Sequence, residues 1–307
     1  MTKAKAAIEN MDLFVLGNGF DLFHGIPSGY DKFHEWLKSH KKMTFVTDME
    51  NFFPDTIVKK DNQGRVYHES TLWNRFEEAL GLFDTETIFQ YFTEDIEMDY
   101  DHPTQSTAAI EDAPEQFFEK LLLDMQDNFE QWVADINLSV VQPKPIKHFH
   151  NIGLYLSFNY TSTLEDVYGI SRDQIEYIHG CASRGDHLVV GHCNTVNEIH
   201  DNDMPLYEET GRNNVIRLGN GLKKNTKDVI MNHWKFFQRL NPTVDKVVCY
   251  GHSYACVDDP YFEEIRKRVG ANAQWYLSWY KNEDLHNIQA FEKRMQLNSA
   301  NCHPFKM

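Results

Sequence analysis

The chain has 307 residues, and 46 Asp and Glu against 30 Lys and Arg give it a formal charge of −16. This length suits one large α/β domain or two modest ones and excludes a mini-protein held by staples. The averaged negative field disfavours nucleic acid and anionic membrane surfaces as partners. With 21 Phe, 14 Tyr and 6 Trp, the composition is that of a folded protein, since disordered acidic chains lack such residues.

Five cysteines (Cys181, Cys193, Cys249, Cys256, Cys302), odd in number and without a C-x-x-C pair, point to neither a disulfide framework nor a ribbon-type zinc site. The apolar run Leu13 to Leu16 is far shorter than a signal h-region or a membrane span. A reducing, cytoplasmic address follows as an expectation.

In chain order, Met11 to Leu16 (MDLFVL) is a continuous apolar run stopped by Gly17-Asn18-Gly19, the pattern of a buried parallel strand entering a turn. Tyr30 to Lys38 places Phe33, Trp36 and Leu37 at helical spacing. Leu72 to Phe83 and Pro114 to Leu138 read as helices, the second with an apolar stripe from Phe118 to Ile136. Residues 41–145 are therefore expected to form a helical insertion.

After Pro143 and Pro145, short apolar runs alternate with helical stretches, as a parallel sheet with crossovers requires. Strands are predicted at Leu154 to Phe158, Ile175 to Ile178, Leu188 to Val190, Lys246 to Tyr250 and Gln274 to Ser278. Helices are predicted at Ser162 to Tyr168, Lys223 to Leu240, Pro260 to Val269 and Glu283 to Leu297, with Ser162 and Glu165 as a capping box. Asn194 to Asn214 reads as a loop. The fold class is α/β, a Rossmann-type, mostly parallel sheet flanked by helices, built from residues 1–40 and 146–307.

Polar residues crowd the carboxyl ends of these strands, where ligands of open α/β sheets bind. Gly17-Asn18-Gly19 follows the first strand, Asn159 the next, His179-Gly180 a third and Gly251-His252-Ser253 a later one. Each also has a plain structural reading: a tight turn, a cap residue, a core histidine. Position 22 is Leu rather than the third glycine of a dinucleotide fingerprint, which disfavours a nicotinamide dehydrogenase.

The series GNGFDLFHGIP (17–27), LWNRFEEAL (72–80), FNYTSTLE (158–165), IHG (178–180), GHCN (191–194) and GHSYACVDDPYF (251–262) resembles the AbiH family of bacteriophage abortive-infection proteins. A more distant likeness links Gly17, Gly19, Gly25, Ile26 and Pro27 to sirtuins and sirtuin-like NAD-cleaving defence proteins. That resemblance implies a sirtuin-like nucleotide site. Gly17 and Gly19 would cradle a pyrophosphate and Gly251 with Ser253 would supply a second phosphate-ribose contact, with Asn18, Asp21, Gly25, Pro27 and His252 also in the cofactor-binding site. Asn159 would bind the nicotinamide ribose, and His179 would act as base through a ribose hydroxyl. Asp21 reads either as an orienting acid or as a first-turn carboxylate.

The implied activity is cleavage of the N-glycosidic bond of NAD or a related nucleotide, with no metal. An imidazole, whose unperturbed pKa lies near 6.5, suits a proton transfer at neutral pH. Two departures stand out: Thr161 occupies the place of an acid that the sirtuin pattern has two residues after the Asn, and Ser28-Gly29-Tyr30 replaces Asp-Phe-Arg. The implied partners are a nucleotide, a phage-derived trigger and further copies of the chain.

Three rivals stand beside this reading. A nucleotide-binding sensor or partner subunit needs only the glycine turn and the Asn. A serine hydrolase would use Ser253 in a nucleophile elbow, with Ala255 at its last glycine position. A metal-dependent phosphoesterase would draw on the 15 histidines, although their spacings match no standard site.

Overall fold

The computed structural model describes residues 11–54, 56–60 and 66–307. From the start these form β1 (Asp12–Leu16), α1 (Asn18–Phe23), α2 (Tyr30–Ser39), α3 (Met43–Phe52), the hairpin β2 (Thr56–Lys60) and β3 (Val66–Ser70), α4 (Phe76–Ala79), α5 (Thr85–Thr93) and α6 (Pro103–Ala134). Next come β4 (Leu154–Ser157), α7 (Thr163–Asp166), β5 (Ile175–Tyr177) and α8 (Leu206–Gly221). The last stretch holds α9 (Thr226–Asn232), α10 (Trp234–Arg239), β6 (Lys246–Tyr250), α11 (Asp259–Arg268), β7 (Gln274–Trp279), α12 (Asp284–Arg294) and β8 (Cys302–Lys306).

Contacts divide the chain into two units. One comprises Met1–Ser28, Val133–Val189 and Asn225–Met307, and the other Gly29–Trp132 and Val190–Lys224. The second unit thus begins before residue 41 and takes in the 190–224 stretch.

The first unit is built on a six-stranded sheet of order β5-β4-β1-β6-β7-β8, parallel at every pairing. This is the doubly wound order in which the chain leaves β1 for one side of the sheet and returns to β6 on the other, so the switch point lies between β1 and β6. Side chains alternate between faces. Leu13, Val15, Leu154, Leu156, Val247 and Cys249 join one apolar cluster with Phe236, Phe262, Ile265 and Phe291 of the covering helices. Phe14, Leu16, Tyr155, Val248 and Tyr250 join the opposite one with Phe20 and Leu164. Burial on both faces explains why the strands read as continuous apolar runs rather than alternating ones.

The second unit centres on aromatic rings. Phe33 of α2 packs against Trp73 at 5.8 Å, Phe76 at 5.7 Å, Phe129 at 5.4 Å and Trp132 at 5.2 Å. The 72–80 motif is therefore a packing motif, with Glu77 held 2.8 Å from the buried Lys224 ammonium. Arg212 ties α8 to α5 through Glu86 at 2.8 Å and lies 3.8 Å over the Phe89 ring. In the GHCN segment, His192 Nε2 bonds the Gly219 carbonyl at 3.0 Å.

Several predicted elements differ. Residues 188–190 form no strand, because the Val189 carbonyl accepts from the Tyr160 hydroxyl at 3.1 Å rather than from a neighbouring strand. Residues 206–214, read as loop, belong to α8, whose Gly211, Asn213 and Asn214 are weak helix formers on its buried side. The 223–240 helix is split at His233 into α9 and α10. The long helix starts at Pro103, with Pro114 inside it. The capping box does not form: Ser162 Oγ donates to Asp166 instead, at 2.5 Å.

Candidate functional site

Pairing register sets the level of the strand ends. Leu16 of β1 aligns with Ser157 of β4 and Tyr250 of β6, and Ser157 aligns with Tyr177 of β5. Gly17, Asn159, His179 and Gly251 therefore emerge on neighbouring strands at the carboxyl side of the sheet. The parallel apolar runs alone dictate this convergence, since every strand points the same way.

The two switch-point turns touch through backbone. Gly17 N–H donates to the Tyr250 carbonyl at 2.9 Å, and Gly19 N–H to the Gly251 carbonyl at 2.8 Å. A Cβ on Gly19 would sit 2.7 Å from Gly251 Cα, and one on Gly251, whose φ is +59°, 2.1 Å from Phe20 N. The expected phosphate cradle is thus not offered by these two amides. Their glycines serve the close approach of α1 to the turn after β6. Asn18 latches its loop: its Nδ2 donates to the Ser28 carbonyl at 3.0 Å, and Ser28 Oγ donates to its Oδ1 at 2.5 Å. Gly25 and Pro27 are exposed on that loop, while Ile26 between them is buried.

Asp21 is not an exposed first-turn carboxylate. It is fully buried, and its Oδ2 accepts from Thr161 Oγ1 at 2.5 Å, with Thr163 Oγ1 2.9 Å further on. Burial pushes its carboxyl up to about 6, opposed by hydrogen bonds from Thr161, Thr163 and Asn159. Thr161, the sequence's departure from an acid, is therefore the residue that holds an acid arriving from α1. Asn159 is 5% exposed, and its Oδ1, like Asp21 Oδ1, has no hydrogen-bond partner among the described residues.

His179 is 2% exposed in an aromatic setting: edge-on to Phe158 at 5.2 Å, with Tyr261 at 5.6 Å and Tyr160 at 6.2 Å. His252 turns inward, between Phe158 and Phe262 at 4.9 Å each. Its Nδ1 accepts from Tyr254 N–H at 2.8 Å and its Nε2 faces Asp258 at 3.3 Å, so the ring proton sits on Nε2. His252 is thus a support for its loop, not a presented ligand group. Ser253 next to it is exposed.

A nucleophile elbow is not formed. The positive φ angles stand at Gly251 and Tyr254 rather than at Ser253, and Asp258, one of the acids such a triad would use, faces His252. Among the described residues, no group of three or more His, Cys, Asp or Glu side chains is placed to hold a metal ion, and no helix is long and apolar enough to cross a membrane. An open cavity of about 490 Å³ lies at the opposite, amino ends of the strands, lined by Asp12, His150, Lys246 and Gln274 among others. There Asp12 takes both His150 at 2.8 Å and Lys246 at 3.0 Å, so the charges are already paired.

The family model for bacteriophage abortive infection AbiH matches residues 13–279. The chain belongs to the AbiH family. The match spans all six motif segments, five of the six sheet strands and the whole α2–α8 stretch, whereas α12 and β8 lie beyond it. AbiH membership makes this a phage abortive-infection protein. No curated protein and no solved structure is matched.

Sequence reasoning missed the Asp21–Thr161–Thr163 chain and the His252–Asp258 pair. The available signals were an acid set among Phe20, Leu22 and Phe23, and a Thr-x-Thr spacing just after a strand.

Proposed function

We propose that this AbiH protein defends against phage by hydrolysing the N-glycosidic bond of NAD or a related nucleotide at the carboxyl ends of β1, β4, β5 and β6. The observation that supports this reading most is the register that levels Gly17, Asn159, His179 and Gly251 at a switch point, where α/β sheets bind nucleotides. Ser253, exposed beside that point, is suited to a phosphate or ribose contact. The glycines allow the two loops to meet.

In the reaction, water oxygen bonds to the ribose C1′. The C1′–N bond breaks with its electron pair staying on the nicotinamide nitrogen, and the proton lost from water is released. His179 polarises or deprotonates a ribose hydroxyl as cationic character grows on the sugar, and Asn159 helps to hold the ligand without adding charge. No metal enters this scheme.

A sensor that binds a nucleotide without cleaving it is the second reading, favoured by the burial of His179. One experiment separates the two. Purified protein is incubated with NAD, with and without extract of phage-infected cells, and products are followed by mass analysis alongside calorimetric binding. His179→Ala should lose roughly 10²- to 10⁴-fold in turnover and keep its NAD affinity within a few-fold. Binding with no turnover by the wild type under any condition would leave the sensor, and equal turnover in His179→Ala would remove the assigned base.

A further inference from the structure

The buried polar cluster beneath the strand ends has a fixed hydrogen-bond direction. A carboxylate only accepts, so Thr161 Oγ1 donates to Asp21 Oδ2. Thr163 Oγ1 lies 2.9 Å from Thr161 Oγ1, and the side chains of Thr163 and Asn159 also hydrogen-bond to Asp21. Both hydroxyl protons are therefore committed inward, toward Asp21. What remains is two oxygens, Asp21 Oδ1 and Asn159 Oδ1, each buried and without a hydrogen-bond partner among the described residues. Buried acceptors are normally met by a donor, and two unmet ones in one cluster mark a place where a ligand's donors would be received.

The chemistry of that ligand follows from what the cluster lacks. Phosphate and carboxylate bring only more acceptors and negative charge against a buried carboxyl, so Asp21 does not belong to a phosphate subsite. A hydroxyl brings one donor but also lone pairs, and the two threonine protons that would answer them are used. A group with two N–H donors and no acceptor on the same atom matches two acceptors.

We propose that Asp21 Oδ1 and Asn159 Oδ1 form an acceptor-only receptor for an N–H₂ group of the bound ligand, a primary amide or an exocyclic amine. The assignment deepens the nucleotide reading and rests on it for the identity of the whole ligand. The receptor itself rests on the two orphaned oxygens. In this scheme Asp21 is a specificity-determining residue: it selects the ligand by its donor group and takes no part in bond cleavage.

The test is calorimetric titration of wild type and Asp21→Asn with four probes: NAD; nicotinic acid adenine dinucleotide, in which the amide is a carboxylate; nicotinamide hypoxanthine dinucleotide, in which the adenine amine is an oxo group; and free nicotinamide. One of the two altered dinucleotides should bind the wild type roughly 10- to 100-fold more weakly than NAD, which also says whether amide or amine is read. Asn at position 21 keeps the size but adds donors, so its discrimination should fall to within about three-fold while the weaker dinucleotide binds as before. NAD binding with no loss for either altered dinucleotide overturns the receptor and leaves the nucleotide reading intact. Wild-type binding of nicotinamide that Asp21→Asn loses, with no dinucleotide bound, keeps the receptor and removes the nucleotide reading. If none of the four binds, both fall.

Discussion

Asp21 carries its charge at a cost set by burial. Its carboxyl titrates near 6 in the folded protein against an ordinary 3.8, and desolvation is the main cause. The folded state therefore holds the proton more tightly than the unfolded chain. Stability that is present below pH 3.8 is lost as pH rises through the window from about 4 to 6, and stays lost above it. The difference is of order 3 kcal/mol. Asp21→Asn should therefore gain about 1–3 kcal/mol in urea unfolding at pH 8 relative to wild type, and little at pH 4. An equal effect at both pH values would mean that the carboxyl is not charged at a penalty. A carboxylate retained at such a cost fits a residue kept for recognition rather than for the fold.

At the scale of elements, the contact between α1 and the turn after β6 decides whether the switch point forms. Gly19→Val and Gly251→Ala both drive a Cβ into backbone that no rotamer change can move, at 2.7 Å and 2.1 Å. Each should destabilise the sheet unit by roughly 3–5 kcal/mol, seen as loss of the cooperative unfolding transition. A Gly19→Val protein that unfolds like wild type but no longer binds nucleotide would instead restore the phosphate-cradle reading. The five strands β1, β4, β5, β6 and β7 were legible because a sheet covered on both faces leaves unbroken apolar runs. The edge strand β8 was not, since Pro304 interrupts it and only an edge tolerates that. Pro114 looked like a helix start, but a second proline eleven residues earlier holds that position. The strand-end residues were legible for a topological reason, parallel strands bringing their carboxyl ends together. The Asp21–Thr161 bond joins residues 140 apart, and the amide protons of Gly17 and Gly19 go to Tyr250 at the end of β6 and Gly251 just after it, far away in sequence, so neither could be read from local pattern.

At the scale of the whole molecule, a formal charge of −16 gives no long-range attraction for an anionic nucleotide. On the proposed function, binding would have to come from local contacts at the strand ends, and a protein that destroyed a common nucleotide would have to act only on infection. The central claim is therefore tested most directly by NAD content, measured by mass analysis in phage-infected cells that express either wild type or His179→Ala at equal levels. NAD should fall after infection with the wild type and hold steady with His179→Ala, which should also lose protection. Undiminished NAD, and the same level of every other nucleotide, in wild-type cells that remain protected would contradict the claim.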